Sequence, residues 1–347
     1  MMPRAVGRGP FVLGGRALVA LVVALLPATA MAQSGLRVTA ALEFAQTYDD
    51  NLFPSPTALV RQSDFIYRIG PRLGLVYAGR TLNVRARYGR DAEAFGWRHE
   101  LDSTRARQDA GLDVGWSPFR ALKLDAGALY EDTTMARDLN VVTALETARL
   151  PAQRSSARAS ASLRLGGLTQ LRAEEAFERQ RTSGFAAVDT RIASIVLERT
   201  FGPLDNATMN FSRREFSAEG SVTRSHVLAL GWSRRVMPRA RFEIQAGPRL
   251  SNDGTVGAEV SVGVRGALRH GEVAFAYIQT EATAAGHLGR LAVQGVSASL
   301  RHQLSRGLRI GGGAGIFESR EQRSEALVYH ATAELERCGI SPTTPSR

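Results

Sequence analysis

Cysteine is almost missing from this 347-residue chain. Cys338 stands alone near the C-terminus, which excludes an intrachain disulfide and any thiol-based metal site. Lysine is as scarce: Lys123 is the only one, so arginine carries nearly all the basic charge. Aromatic residues make up 7% of the sequence. No run after residue 32 is long and apolar enough to cross a bilayer as a helix, so any membrane crossing must use strands. No Pro- or Ser-rich linker divides the chain. The six histidines form no HExxH pattern and pair with no serine in a recognisable catalytic motif, and no cofactor motif is present, so the sequence reads as a non-enzyme. Nothing resembles a nucleic-acid-binding module.

The N-terminus has a clear grammar. Arg4, Arg8 and Arg16 form a basic region, Ala17 to Leu26 a short apolar core, and Ala28-Thr-Ala30 and Ala30-Met-Ala32 offer small-x-small cleavage patterns. Residues 1–32 read as a cleaved secretory signal peptide; the competing reading, a membrane anchor, needs a longer apolar run to span ~30 Å of hydrocarbon. The formal charge of +11 falls to +8 without those three arginines.

What the rest of the chain has in abundance is a period of two. Val256, Ala258, Val260, Val262 and Val264 share one face, while Gly257, Glu259, Ser261, Gly263 and Arg265 share the other. A strand separates two such sets and a helix does not. Leu82–Gly89 and Leu122–Ala128 alternate in the same way. The pattern predicts sixteen strands, near 36–46, 63–77, 81–92, 105–116, 121–132, 153–165, 168–179 and 190–200, then 206–216, 222–233, 239–249, 255–267, 271–280, 289–302, 307–317 and 325–337. Leu168–Phe177 can equally be written as a helix. Short connections follow the even strands. Longer ones, such as Tyr48 to Gln62 and Thr133 to Ala152, follow the odd strands. That alternation, with an even strand count, suits a closed antiparallel transmembrane β-barrel of outer-membrane type, with about sixteen strands (fourteen to eighteen) over residues 33–337. Aromatics gather towards strand ends as two girdles: Tyr77, Trp116, Phe119, Phe201 and Trp232 at the short-turn side; Tyr88, Tyr130, Phe216, Tyr277 and Phe317 at the long-loop side.

In such a barrel the polar faces point inward. Arg68, Arg72, Arg85, Arg87, Arg105, Arg107, Arg158 and Arg164 are the candidate lumen-lining residues, with Asp109, Asp113, Asp125 and Glu131 on the same faces. Two readings coexist: an internal charge ladder that stiffens the wall, and a positively lined pore that favours anions.

Gln46-Thr-Tyr48-Asp49-Asp50-Asn51-Leu52-Phe53, followed by Tyr67-Arg-Ile-Gly-Pro71 and Val84-Arg-Ala-Arg-Tyr88, resembles the β-barrel porin 2 family over about sixty residues. The resemblance implies an outer-membrane barrel associated with exopolysaccharide loci. Tyr48-Asp49-Asp50-Asn51 is also ordinary Asx turn chemistry. The chain departs from the usual barrel ending, because the polar tail 338–347 replaces a terminal aromatic and reads as disordered. Three function classes follow: a barrel passing or exporting an anionic polysaccharide or small anionic solutes, a structural barrel whose loops matter most, and a membrane-embedded hydrolase as the least supported. The expected partners are outer-membrane lipid, the barrel-assembly machinery, the solute itself and, as in many sixteen-stranded porins, two further copies in a homotrimer.

Overall fold

The computed structural model describes residues 35–49, 52, 62–139, 149–283, 290–305, 308–321 and 324–337. The segment 1–32 read as a signal peptide, the tail 338–347, Asp50 and Asn51 lie outside the described residues.

Sixteen strands follow one another: β1 (Gly35–Asp49), β2 (Asp64–Ala78), β3 (Leu82–Phe95), β4 (Ser103–Phe119), β5 (Leu122–Thr133), β6 (Ala152–Arg164), β7 (Thr169–Thr182) and β8 (Val188–Thr200), then β9 (Asp205–Ala218), β10 (Ser221–Met237), β11 (Ala240–Ser251), β12 (Val256–Leu268), β13 (Gly271–Ala282), β14 (Leu291–Ser305), β15 (Leu308–Glu321) and β16 (Ser324–Arg337). Each pairs antiparallel with the next in a single sheet, and β16 comes back against β1. The sheet rolls round until its first and last strands meet, the arrangement of a barrel, in which closure is what removes open edges.

Every predicted strand is present. The ambiguous Leu168–Phe177 segment is extended, and its pairing explains why. Ser160↔Glu174 and Ser156↔Glu178 set Arg172, Glu174 and Glu178 on one face and Leu171, Ala173 and Phe177 on the other. A helix would scatter both sets around its circumference.

Burial is inverted relative to a water-soluble β-protein. Val256 is 74% exposed, Val38 68% and Leu230 66%. The exposed apolar residues alternate along most strands, so they form an outward belt. The concave side is identified by side chains that meet across several strands. Arg214 of β9 reaches Glu259 of β12 at 2.7 Å, and Arg249 of β11 reaches Glu281 of β13 at 3.0 Å. Polar residues occupy that inner face. Apolar packing is confined to small clusters on it, chiefly Leu52, Ile66, Phe95 and Met135 at the long-loop end.

The connections depart from strict alternation. Those after β1, β3, β5 and β13 are long, but β9 and β10 are joined by Glu219 and Gly220 alone. Both have positive φ, 50° and 79°, as a type I′ two-residue hairpin requires. The long-loop rim is therefore low on one side. The aromatic girdles are also thinner than the sequence suggests. Trp116, Phe119, Phe201 and Trp232 are exposed at the short-turn side, and Tyr48, Phe65 and Trp97 pack in a row at the other, tilted and then edge-to-face (centroids 5.0 and 5.7 Å apart). Phe216 and Phe317 are buried instead. Phe216 lines the interior, and Phe317 packs with the buried Leu291 and Val293.

The Phe317 ring lies over Gly315 and Gly295, so a Cβ at either position would strike it. Replacing Gly315 with Val is expected to cost about 1–3 kcal/mol by overpacking. Gly166, with open space around its missing Cβ, should accept Val without loss. Urea titration of the folded barrel in vesicles compares the two variants, and equal midpoints would refute this packing.

Candidate functional site

The inner face is assembled by register. Arg85 pairs opposite Asp113, Arg87 opposite Gly111 and Asp91 opposite Arg107. Gly127 lies opposite Arg158 and Glu131 opposite Arg154. Because the pleat has a period of two, these residues necessarily share one side. Glycine has a spatial purpose in two of these pairs. The Arg87 stem crosses Gly111 and the Arg158 stem crosses Gly127, and a Cβ at either glycine would meet the arginine. Long guanidinium side chains can thus lie flat along the wall.

At the long-loop end the interior is narrowed by the start of the β5–β6 connection. Its 3-10 turn, Ala136–Leu139, follows Met135, which packs against the inward Ile66 and Phe95. The turn is tied down by charge. Arg68 contacts Glu93 at 2.5 Å and Asp138 at 3.2 Å, and Thr133 donates its hydroxyl to Asp138 at 3.1 Å. On the returning limb, Arg149 reaches Glu93 at 3.3 Å, and its guanidinium lies 4.4 Å from the Phe95 ring centre. The Glu93 side chain is 1% exposed, so both arginines serve one desolvated carboxylate. Beside this knot, Arg72 spans Asp91 at 2.7 Å and Glu43 at 2.8 Å.

A second knot forms across the barrel. Glu259 accepts from Arg214 and from the Thr280 hydroxyl, both at 2.7 Å, and lies 3.3 Å from Arg249. Glu281 joins Arg249, Arg290 at 2.5 Å and the Ser225 hydroxyl at 2.8 Å. Between the knots a cavity of about 560 Å³ is lined by Arg87, Asp113, Arg158, Glu178, Arg214 and Glu281, among others.

The eight sequence-derived arginines therefore separate into four situations. Arg68 and Arg72 are locked in ion pairs. Arg107 and Arg158 each have one inner carboxylate, Glu131 at 3.4 Å and Asp113 at 2.7 Å. Arg85, Arg87 and Arg164 lie on the inner face with no ion pair among the described residues. Arg105 does not line the interior. The β3–β4 register shifts between Asp91 and Glu93. Arg105 then donates to Gln108 at 3.2 Å and approaches Asp132 at 4.0 Å, both on the outward face. A local bulge of this kind reverses the side that a side chain takes.

Sequence reading missed Arg154, Arg214 and Arg290 as members of the inner networks. Arg213-Arg214 shows why. Adjacent arginines must point to opposite faces, and only the phase of Met209 and Phe211, both exposed, assigns Arg213 outward and Arg214 inward. That phase was available in the sequence; the partners of Arg214 were not.

No family model and no curated protein matches the sequence, so the resemblance carried by Gln46–Phe53, Tyr67–Pro71 and Val84–Tyr88 rests on those residues alone. Among solved structures, the chain is similar to the siderophore receptor PirA from Pseudomonas aeruginosa at 9% identity and a TM-score of 0.42, covering 86% of this chain and 61% of that one. It is also similar to a bacterial polysaccharide outer membrane secretin, at 10% identity, a TM-score of 0.43, and 86% and 98% of the two chains. OccK5 (OpdH) from Pseudomonas aeruginosa is matched at 10% identity and a TM-score of 0.45, over 87% and 97%. The chain spans about three-fifths of the length of PirA. At this level of likeness nothing about activity or cargo follows from the neighbours.

Proposed function

We propose that this protein is an outer-membrane pore of porin type that passes small anionic solutes. The observation that carries the reading is the sidedness of the barrel wall. The outward belt is apolar and exposed, whereas the inner face is polar and carries Arg85 and Arg87 without carboxylate partners. An apolar exterior is stable only in hydrocarbon, where every backbone group must be paired internally, and a closed barrel meets that demand. Sixteen strands leave a lumen too wide for wall side chains to fill. The inward connection narrows one end, which supports small solutes over bulk flow.

Export of an anionic polysaccharide is the finer alternative, supported by the resemblance around Tyr48 and Asp49. Reconstitution in planar bilayers distinguishes the two. A steady ohmic current with anion selectivity is expected for the small-solute pore. A barrel silent to salt alone but opened by an acidic polysaccharide favours the export reading. A barrel inert to both is structural, and the pore proposal then fails.

A further inference from the structure

The outward belt is broken in one sector. On β12 the outward residues are Val256, Ala258, Val260, Val262 and Val264, with no charge among them. On β9 the apolar outward run is only Ala207, Met209 and Phe211 before Arg213 and Glu215. β8 and β10 repeat this. Arg191 follows Leu197, Ile195 and Ala193 towards the long-loop end, and Arg224 and His226 stand beyond Trp232, Leu230 and Leu228. Three apolar positions instead of five make the belt roughly 10 Å lower here, at ~3.3 Å per residue and a strand tilt of ~40°. The missing height is all at the long-loop side, where the two-residue β9–β10 hairpin also lowers the rim.

The charged residues converge. Arg191 lies 3.0 Å from Glu175 of β7. Glu215 is shared by Arg224 at 2.8 Å and Arg213 at 3.4 Å. His226 stacks on Phe211 at 6.2 Å. The small side chain of Ala193 leaves a hollow of about 200 Å³ among Glu175, Arg191, Arg213 and Glu215. Three guanidiniums against two carboxylates leave positive charge around a dent that faces the membrane. An arginine facing the hydrocarbon midplane is costly, and the cost falls towards zero at the interface. A stable barrel therefore brings polar lipid groups down to this level.

We propose that this sector binds the phosphorylated headgroups of outer-leaflet lipids, which settle into the hollow and hydrogen-bond Arg191, Arg213 and Arg224. Guanidinium suits phosphate through paired N–H donors. A second copy of the chain is the poorer occupant. A two-fold contact would set this positive patch against itself, and the outward faces of β1 and β12 offer no carboxylate to meet it. The inference rests on the membrane placement proposed above but not on conduction.

The test uses the full barrel inserted into phosphatidylcholine vesicles doped with diphosphorylated lipid A, extracted into mild detergent and examined by native mass spectrometry. Lipid A is expected to stay bound to the wild type. Retention should fall roughly tenfold or more in the R191Q/R213Q/R224Q triple variant. The matching lysine triple variant should recover most of it. If the glutamine variant fails the heat-shift test for a folded barrel, E175Q/E215Q replaces it and should retain more lipid than the wild type. Equal retention in all variants, equal loss of phosphatidylcholine, or dissociation of an oligomer without loss of lipid A would overturn the proposal. Failure of the wild type to insert at all would instead sink the membrane reading.

Discussion

Replacing Glu93 with Ala is expected to destabilise the barrel by about 3–5 kcal/mol and to raise its single-channel conductance. The magnitude follows from burial. Glu93 is the common partner of Arg68 and Arg149 and is almost wholly shielded from water. Removing one member of a buried ionic cluster leaves the remaining charges desolvated and uncompensated. Arg68 keeps Asp138 at 3.2 Å and Thr133 keeps its hydrogen bond to Asp138, so the turn Ala136–Leu139 stays attached, but the returning limb at Arg149 loses its ion pair with β3 and is left there with the Phe95 ring. The constriction then widens. Glu93→Gln retains an acceptor and should fall between the wild type and Glu93→Ala in both measurements. Thermal midpoints and single-channel recordings together decide the matter. A loss of stability with unchanged conductance would show that this connection does not set the narrowest section.

The second large effect is expected from Arg85→Glu combined with Arg87→Glu. Both arginines project from the inner face of β3, and neither forms an ion pair among the described residues. Reversal should therefore leave folding largely intact. A unit charge within ~4 Å of a passing ion is worth about 1 kcal/mol in a water-like medium and about 4 kcal/mol at the effective permittivity near a protein surface. Since about 1.4 kcal/mol is a tenfold ratio, two reversals should change the anion-to-cation permeability ratio by roughly tenfold or more. The reversal potential across a salt gradient should change sign. Arg105→Glu is the matched control, because Arg105 turns outward to Gln108 and Asp132, and its selectivity should match the wild type. If the control shifts the potential as much as the β3 pair does, the conduction path does not run past Arg85 and Arg87.

The readability of each part of the molecule depends on how local its cause is. The strands of the β12 type were legible because five outward apolar residues in phase need no partner to declare themselves. Even the ambiguous β7 was correctly countable, since its neighbours demanded a strand there. The inner arginines were legible as a set, by phase, and Arg105 failed where a register shift between β3 and β4 reversed that phase. Phe216 and Phe317 failed for a related reason. Position near a strand end suggests a girdle, while parity sends both to the inner face.

The sequence alone determined the number and order of strands, the polar and apolar faces and the even count, because a period of two is written residue by residue. Only the tertiary structure decided that Glu93 gathers Arg68 and Arg149, that Arg214 crosses to Glu259, and that the start of the β5–β6 connection, Met135–Leu139, turns inward rather than outward. It also decided that Arg191 and Arg213 line one outward hollow, with Arg224 beside it through Glu215. These depend on register, stagger and closure, which bring together residues as far as 70 positions apart in the chain, and no local pattern encodes distances of that kind.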